Sequence, residues 1–205
     1  MKRIVKIVLL SLLALGLFAC GNGSGESGTS GTNADGKKEI KKPVVEMSIK
    51  DYGTIKLELE PEYAPITVEN FLKLVNDGFY NGLTFTRVVP GYMILGGDPT
   101  KDGTGTTGTS IKGEFEQNGV NNPLKHTRGA ISMARLENQF DSASSQFFIM
   151  QQDSADLDGS CAVFGYIVGD GIKVVDKICE EVSTDEYGQV DFMEQPIIEY
   201  IKVIG

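Results

Sequence analysis

Apolar and polar residues follow two periods along this chain. Ile55, Leu57 and Leu59 alternate with Thr54, Lys56, Glu58 and Glu60, the period of two that marks a strand with one buried face. Val44, Met47 and Ile49 precede them across Asp51-Tyr52-Gly53, so residues 44–60 predict a β-hairpin. Ala64-Pro65-Ile66-Thr67 opens a helix in which Val68, Phe71, Leu72 and Val75 fall at helical spacing, and Asn76-Asp77-Gly78 closes it. Val88-Val89 and Met93-Ile94-Leu95 read as two strand pieces broken by Pro90-Gly91, a turn signal. Further strands are expected at Ala130–Arg135, Ser144–Met150, Val163–Val168 and Ile197–Ile204, with a second helix over Gly171–Val182. About eight strands at short spacing with Gly-rich turns argue for a barrel or sandwich. The apolar first and last strands, near Val44 and Ile201, permit a barrel to close.

The N-terminal pattern is different. Met1-Lys2-Arg3 and Lys6 are basic, and the thirteen residues Ile7–Ala19 carry only Ser11 as a polar residue. That is the length of a signal-peptide core and too short for a spanning helix, which needs about 20 residues. Leu17-Phe18-Ala19-Cys20-Gly21 resembles a bacterial lipobox, which implies a signal peptide of residues 1–19 and lipidation at Cys20. An ordinary secretory signal with Cys20 incidental is the alternative. Residues 20–42 are then a lipidated cysteine and a Gly/Ser-rich tether, reaching about 25 Å by random-coil scaling. The folded domain spans residues 43–205. Such an address places the protein on the extracytoplasmic face of the cell membrane.

Composition narrows the partners. The apolar fraction of 40% can bury a real core. The net charge is −9, and loss of Lys2, Arg3 and Lys6 with the signal takes it to −12. A surface of that sign repels phosphate backbones, so nucleic acid is excluded, and membrane contact requires the anchor. Gly103-Thr104-Gly105-Thr106-Thr107-Gly108 matches G-x-G-x-x-G, but neither a strand before it nor a helix after it fits the dinucleotide fingerprint, so it reads as a flexible surface loop. The single histidine, His126, lies in a loop without a metal or triad pattern and reads as structural, its ring bonded to backbone. No metal or cofactor is implied. Cys161 and Cys179 are taken as free thiols. Arg87, inside an apolar segment, is either an edge-strand charge with its stem along apolar surface or a fixed guanidinium at the floor of a groove.

Several blocks favour the groove. Phe85-Thr86-Arg87-Val88-Val89-Pro90-Gly91-Tyr92-Met93 with Gly96-Gly97-Asp98 resembles the signature of the cyclophilin-type peptidyl-prolyl isomerases. Glu114-Phe115, His126-Thr127-Arg128-Gly129, Ile131-Ser132-Met133-Ala134, Ser145-Gln146-Phe147-Phe148-Ile149, Leu157-Asp158-Gly159 and Val163-Phe164-Gly165 match the family's later blocks in order. The resemblance implies a mainly β fold, a closed eight-stranded barrel capped by two α-helices, with an active groove on its outer face. It implies Arg87 as the catalytic arginine and Tyr92, Met93, Phe148 and Leu157 as walls of a proline pocket. Gln146 and the backbone of Ala134-Arg135 would hold the substrate backbone, and Gly105–Thr107 would line the side that sees residues before the proline. Leu95, Asp156, Cys161 and Thr86 depart from better-known members, which have Gln, Trp, His and His there; weak cyclosporin inhibition is expected. The implied activity is X–Pro isomerisation in exported or unfolded polypeptides by a monomer that needs no cofactor. The alternative is a non-catalytic proline-peptide-binding chaperone or adhesion lipoprotein. A two-lobed solute-binding lipoprotein lacks support, because strands and helices do not alternate.

Overall fold

The computed structural model describes residues 41–205; the signal segment, Cys20 and nearly all of the tether lie outside the described residues. The predicted hairpin forms from β1 (Val44–Ile49) and β2 (Gly53–Leu59), paired antiparallel with Met47 opposite Ile55 and Val45 opposite Leu57. All six apolar side chains of the two alternating sets, Val45, Met47, Ile49, Ile55, Leu57 and Leu59, are buried. Helix α1 (Pro65–Asn76) starts at its proline, which needs no N–H in the first turn. Its N-cap residue, Ala64, has no side-chain acceptor. Glu114 supplies the cap from far along the chain: its carboxylate accepts Ile66 N–H at 3.0 Å and the N–H and hydroxyl of Thr67 at 2.7 Å each. A buried carboxylate at the positive end of a helix satisfies two otherwise orphaned donors. Leu74 joins Val68, Phe71 and Val75 on the buried face, while Leu72 is only partly covered.

The remaining strands are β3 (Phe85–Val89), β4 (Met93–Gly96), β5 (Ala130–Met133), β6 (Phe147–Met150), β7 (Val163–Val168) and β8 (Ile198–Val203). Helix α2 (Ile172–Glu181) precedes β8. The eight strands form one antiparallel sheet in the order β3-β4-β6-β5-β7-β2-β1-β8. Its inner face and the apolar faces of both helices enclose the main core. Phe147 is central there: its ring meets Phe71 edge-on at 5.8 Å, Tyr80 at 5.5 Å and Phe85 at 6.1 Å.

The expected closed barrel is not formed. The sheet is curled but open, a half-barrel whose edges are β3 and β8. The two edges meet at one isolated bridge, Thr84 with Ile197, just ahead of both strands. Beyond it β3 turns to the loop between α2 and β8. Val88 N–H donates to Gly188 O at 2.8 Å, Val190 N–H donates to Thr86 O at 3.0 Å, and Arg87 bridges Gln189. A register shift between Phe85 and Arg87 accompanies the change. With its edge groups occupied by this loop, β3 has none left for a ladder to β8.

Candidate active site

The period of two sorts each strand between two faces. Val88, Ile94, Phe147, Ile149, Ile131, Met133 and Phe164 point into the main core. Their neighbours point outward, where a second apolar cluster forms from Met93, Ala130, Phe148, Met150 and Val163. Half-buried side chains pack against it, among them Val89, Tyr92, Leu95, Ala134, Leu157 and Cys161. The four expected pocket walls, Tyr92, Met93, Phe148 and Leu157, therefore meet in one cluster on the outer face.

Register places Arg87 beside them. Arg87 pairs with Leu95, Leu95 with Phe148, and Phe148 with Ser132, one cross-strand row over β3, β4, β6 and β5. Two strand spacings, about 10 Å, separate the backbones of Arg87 and Phe148. Arg87 is half-buried, and its Nε donates to Tyr187 O at 2.8 Å. Among the described residues no carboxylate pairs with it and its two Nη groups have no partner. The guanidinium is thus anchored at one nitrogen and free at two.

The other expected residues are held as follows. The turn carrying Tyr92 is closed by Tyr92 N–H to Val89 O at 3.0 Å, with Gly91 at φ 77°, a left-handed value its neighbours could not adopt cheaply. Gln151 pins that turn twice: its backbone N–H donates to Tyr92 O at 2.8 Å, and its side-chain oxygen accepts Gly91 N–H at 2.6 Å. Leu157 ends the short 3-10 turn Ala155–Leu157, whereas Asp156 beside it is exposed. Gln146 Nε2 donates to Gly105 O at 2.9 Å and Gly103 O at 3.2 Å. Thr107 N–H donates to Ser144 Oγ at 2.9 Å. The 103–108 loop is therefore tied down, where its glycine content alone reads as flexible. Ala134 N–H is engaged by Gln146 O at 3.0 Å. The Arg135 side chain is anchored by Nε to Ser160 O at 2.8 Å and by Nη1 to Leu136 O at 2.9 Å, with its guanidinium over Phe115 and Phe140. The backbone role that the resemblance implies for Ala134-Arg135 falls to groups other than the Ala134 N–H.

His126 is structural, but its partners are side chains rather than backbone. The ring is buried, Nδ1 lies 3.2 Å from Asp158 Oδ1, and Nε2 lies 3.1 Å from Ser132 Oγ. It stacks on Phe148 at 5.8 Å with rings 10° apart, so it backs the pocket wall. Burial pushes the imidazole pKa below its ordinary value, against the pull of Asp158. The unfolded chain protonates this ring as pH falls through about 6.5 while the folded chain resists, so its contribution is full above that value and is lost below it. Asp158 adds a second loss in acid: its burial is outweighed by bonds from His126 and Lys125 that hold it below the usual carboxylate range. Urea midpoints are expected to fall between about pH 7 and pH 5, and His126→Gln to flatten that fall. A midpoint unchanged over this interval would contradict a buried neutral ring.

Cys161 and Cys179 are free. Cys161 belongs to the outer cluster and Cys179 to the inner core, so the sheet separates them. Burial raises both thiols, Cys179 to about 11, which makes them weak nucleophiles at neutral pH.

Leu95, which departs from the Gln of better-known members, is apolar floor between Arg87 and Phe148, a place the departure alone does not reveal. Hairpin register across Pro90-Gly91 is the signal that could have found it. The roles of Tyr187 O and Gln151 had no sequence signal, because both act through loop geometry.

A family model described as cyclophilin type peptidyl-prolyl cis-trans isomerase/CLD matches residues 44–203. Peptidyl-prolyl cis-trans isomerase B of Bacillus subtilis is 47% identical over 119 residues, 58% of this chain and 79% of that relative. Peptidyl-prolyl cis-trans isomerase A of Dickeya dadantii is 43% identical over 141 residues, 66% of this chain and 70% of that relative. A crystal structure of a Cryptosporidium parvum cyclophilin type peptidyl-prolyl cis-trans isomerase, in the presence of the dipeptide Ala-Pro, matches with a TM-score of 0.69 at 28% identity. It covers 79% of this chain and 99% of that one.

Proposed function

From the premise that this chain belongs to the cyclophilin-type peptidyl-prolyl cis-trans isomerase family and is such an isomerase, we propose that the outer groove is where the X–Pro bond is rotated, with Arg87 as the catalytic residue. Rotation must break amide resonance, a barrier of about 18–20 kcal/mol. No bond is made or cleaved, so neither nucleophile nor proton transfer is needed. What is needed is a surface that fits the twisted amide better than either planar form. In the twisted state the prolyl nitrogen becomes pyramidal and gains a lone pair. A guanidinium donor aimed at it stabilises that state selectively, as an oxyanion hole does for a developing charge. The arrangement of Arg87 carries this reading: one nitrogen fixed by Tyr187 O, two free, in one row with Leu95 and Phe148.

The proline ring fits the apolar cluster of Met93, Phe148, Leu157 and Tyr92. The Ala-Pro dipeptide present with the Cryptosporidium parvum relative supports a proline-peptide ligand here. Clients are exported or unfolded polypeptides, and the protein acts as a monomer held to the extracytoplasmic face of the membrane through lipid on Cys20. The basic, apolar and Leu17-Phe18-Ala19-Cys20 segments support that address.

Two measurements test these parts separately. Addition of the protein to a short X–Pro peptide accelerates its cis/trans exchange, and no acceleration by folded protein would remove the enzyme reading in favour of a binding module. In cells, Cys20→Ser moves the protein out of the membrane fraction. A variant still in that fraction would remove the lipid anchor.

A further inference from the structure

The groove, read as the proline-peptide site, has a polarity at Gln146 that its bonding fixes. We propose that Gln146 accepts a hydrogen bond from a substrate backbone N–H on the side preceding the proline, and that buried Asp98 is the positioning residue that sets this polarity.

A side-chain amide can ordinarily donate or accept. Here the choice has been made. The Gln146 amide faces two backbone carbonyl oxygens, Gly105 O at 2.9 Å and Gly103 O at 3.2 Å. Carbonyl oxygens only accept, so the nitrogen must face them, and both of its hydrogens are used. The remaining polar atom, Oε1, has no partner among the described residues. Gln146 is half-buried beside the outer cluster, and its backbone oxygen already binds Ala134 N–H. What it offers a peptide is an acceptor.

Asp98 holds the two carbonyls in place. Its side chain is 0% exposed and pairs with no cation among the described residues. Three backbone N–H donors and one hydroxyl, which also lies 2.6 Å from Asp102 Oδ1, surround it. Oδ1 accepts Thr100 N–H and Thr100 Oγ1–H, both at 2.9 Å; Oδ2 accepts Asp102 N–H at 3.0 Å and Gly103 N–H. The chain thus wraps around one carboxylate before presenting Gly103 O and Gly105 O to Gln146. Close approach requires glycine at 105, since a Cβ there would lie 2.1 Å from Asp98 Oδ1. Asp98→Asn is informative because either orientation of the new amide sets an NH2 against a backbone N–H, that of Thr100 on one side or those of Asp102 and Gly103 on the other. The loop must then move, and Gln146 regains freedom to turn over.

The test is an amide-to-ester scan. In a proline peptide each backbone N–H preceding the proline is replaced in turn by oxygen, which removes a donor without adding bulk. KM and kcat are measured for wild type, Gln146→Ala and Asp98→Asn. One ester position should raise KM for wild type about five- to tenfold, the worth of one hydrogen bond, with kcat little changed. The same ester should cost little in either variant. Thr100→Val, which removes the hydroxyl lying between Asp98 Oδ1 and Asp102 Oδ1, should show an intermediate loss and decides whether the loop wrapped on Asp98 sets the polarity if Asp98→Asn does not fold. If no ester position shows a wild-type loss that Gln146→Ala removes, or if Gln146→Ala responds instead to removal of a substrate carbonyl, the acceptor assignment fails. Full ester sensitivity in folded Asp98→Asn or Thr100→Val would overturn the positioning role. Wild-type turnover of the parent peptide separates these failures from failure of the site itself.

Discussion

Arg87→Ala is expected to lower kcat/KM for an X–Pro peptide by about 100- to 1000-fold, the usual cost of deleting a donor aimed at charge that appears only in the transition state. Most of the loss should fall on kcat, because in the proposed groove the proline would be gripped by the cluster of Met93, Phe148 and Leu157 rather than by the guanidinium. Thermal stability should change little, since Arg87 is half-buried and makes one hydrogen bond, to Tyr187 O. Arg87→Lys should recover only part of the activity. A lysine keeps the charge but has no second nitrogen to bind Tyr187 O while another faces the amide. Steady-state kinetics on the three proteins, with circular dichroism melts as a fold control, give the answer. An alanine variant that turns over like wild type would remove Arg87 from the mechanism.

Two adjacent phenylalanines should give opposite results. Phe147→Ala empties the centre of the inner aromatic cluster, between Phe71, Tyr80 and Phe85, and should cost about 3–5 kcal/mol of stability. Phe148→Ala opens the outer cluster, where the side chain is 7% exposed and stacked on His126. Its stability loss should be smaller, and its main effect should be a rise in the dissociation constant for proline peptides. Urea unfolding and peptide titration on both variants check this. A large affinity loss at Phe147 with an unchanged fold, and none at Phe148, would mean that the faces are reversed.

The alternation that separates these two residues was legible in the sequence, and so were the strands and both helices. Ile55, Leu57 and Leu59 could only be strand residues with one buried face, and Val68, Phe71 and Val75 only a helix face. The pocket residues were legible as a set because several blocks resembled one family in the right order. Closure of the sheet was not legible. Alternation says which face of β3 is buried but not whether its edge bonds to β8 or to a loop, and nothing in the polar residues 183–195 marks them as its partner. The fixed state of the 103–108 loop was hidden for a similar reason. Gly and Thr composition suggests mobility, while the order comes from Asp98 and Gln146, distant contacts that composition cannot carry. Glu114 as the cap of α1 belongs to the same class, because its partner lies 48 residues away.

The measurement that bears most directly on the groove as the site of rotation is nuclear magnetic resonance of an Ala-Pro-containing peptide with the protein at substoichiometric concentration, followed by amide shifts of the protein at excess peptide. Cis/trans exchange peaks should appear that are absent without protein, and the shifted amides should cluster around Arg87, Met93, Gln146, Phe148 and Leu157. Exchange peaks with shifts centred elsewhere, for instance on the apolar hollow of Pro43, Pro61, Val68 and Leu72 beside α1, or shifts at the groove with no exchange peaks, would contradict it.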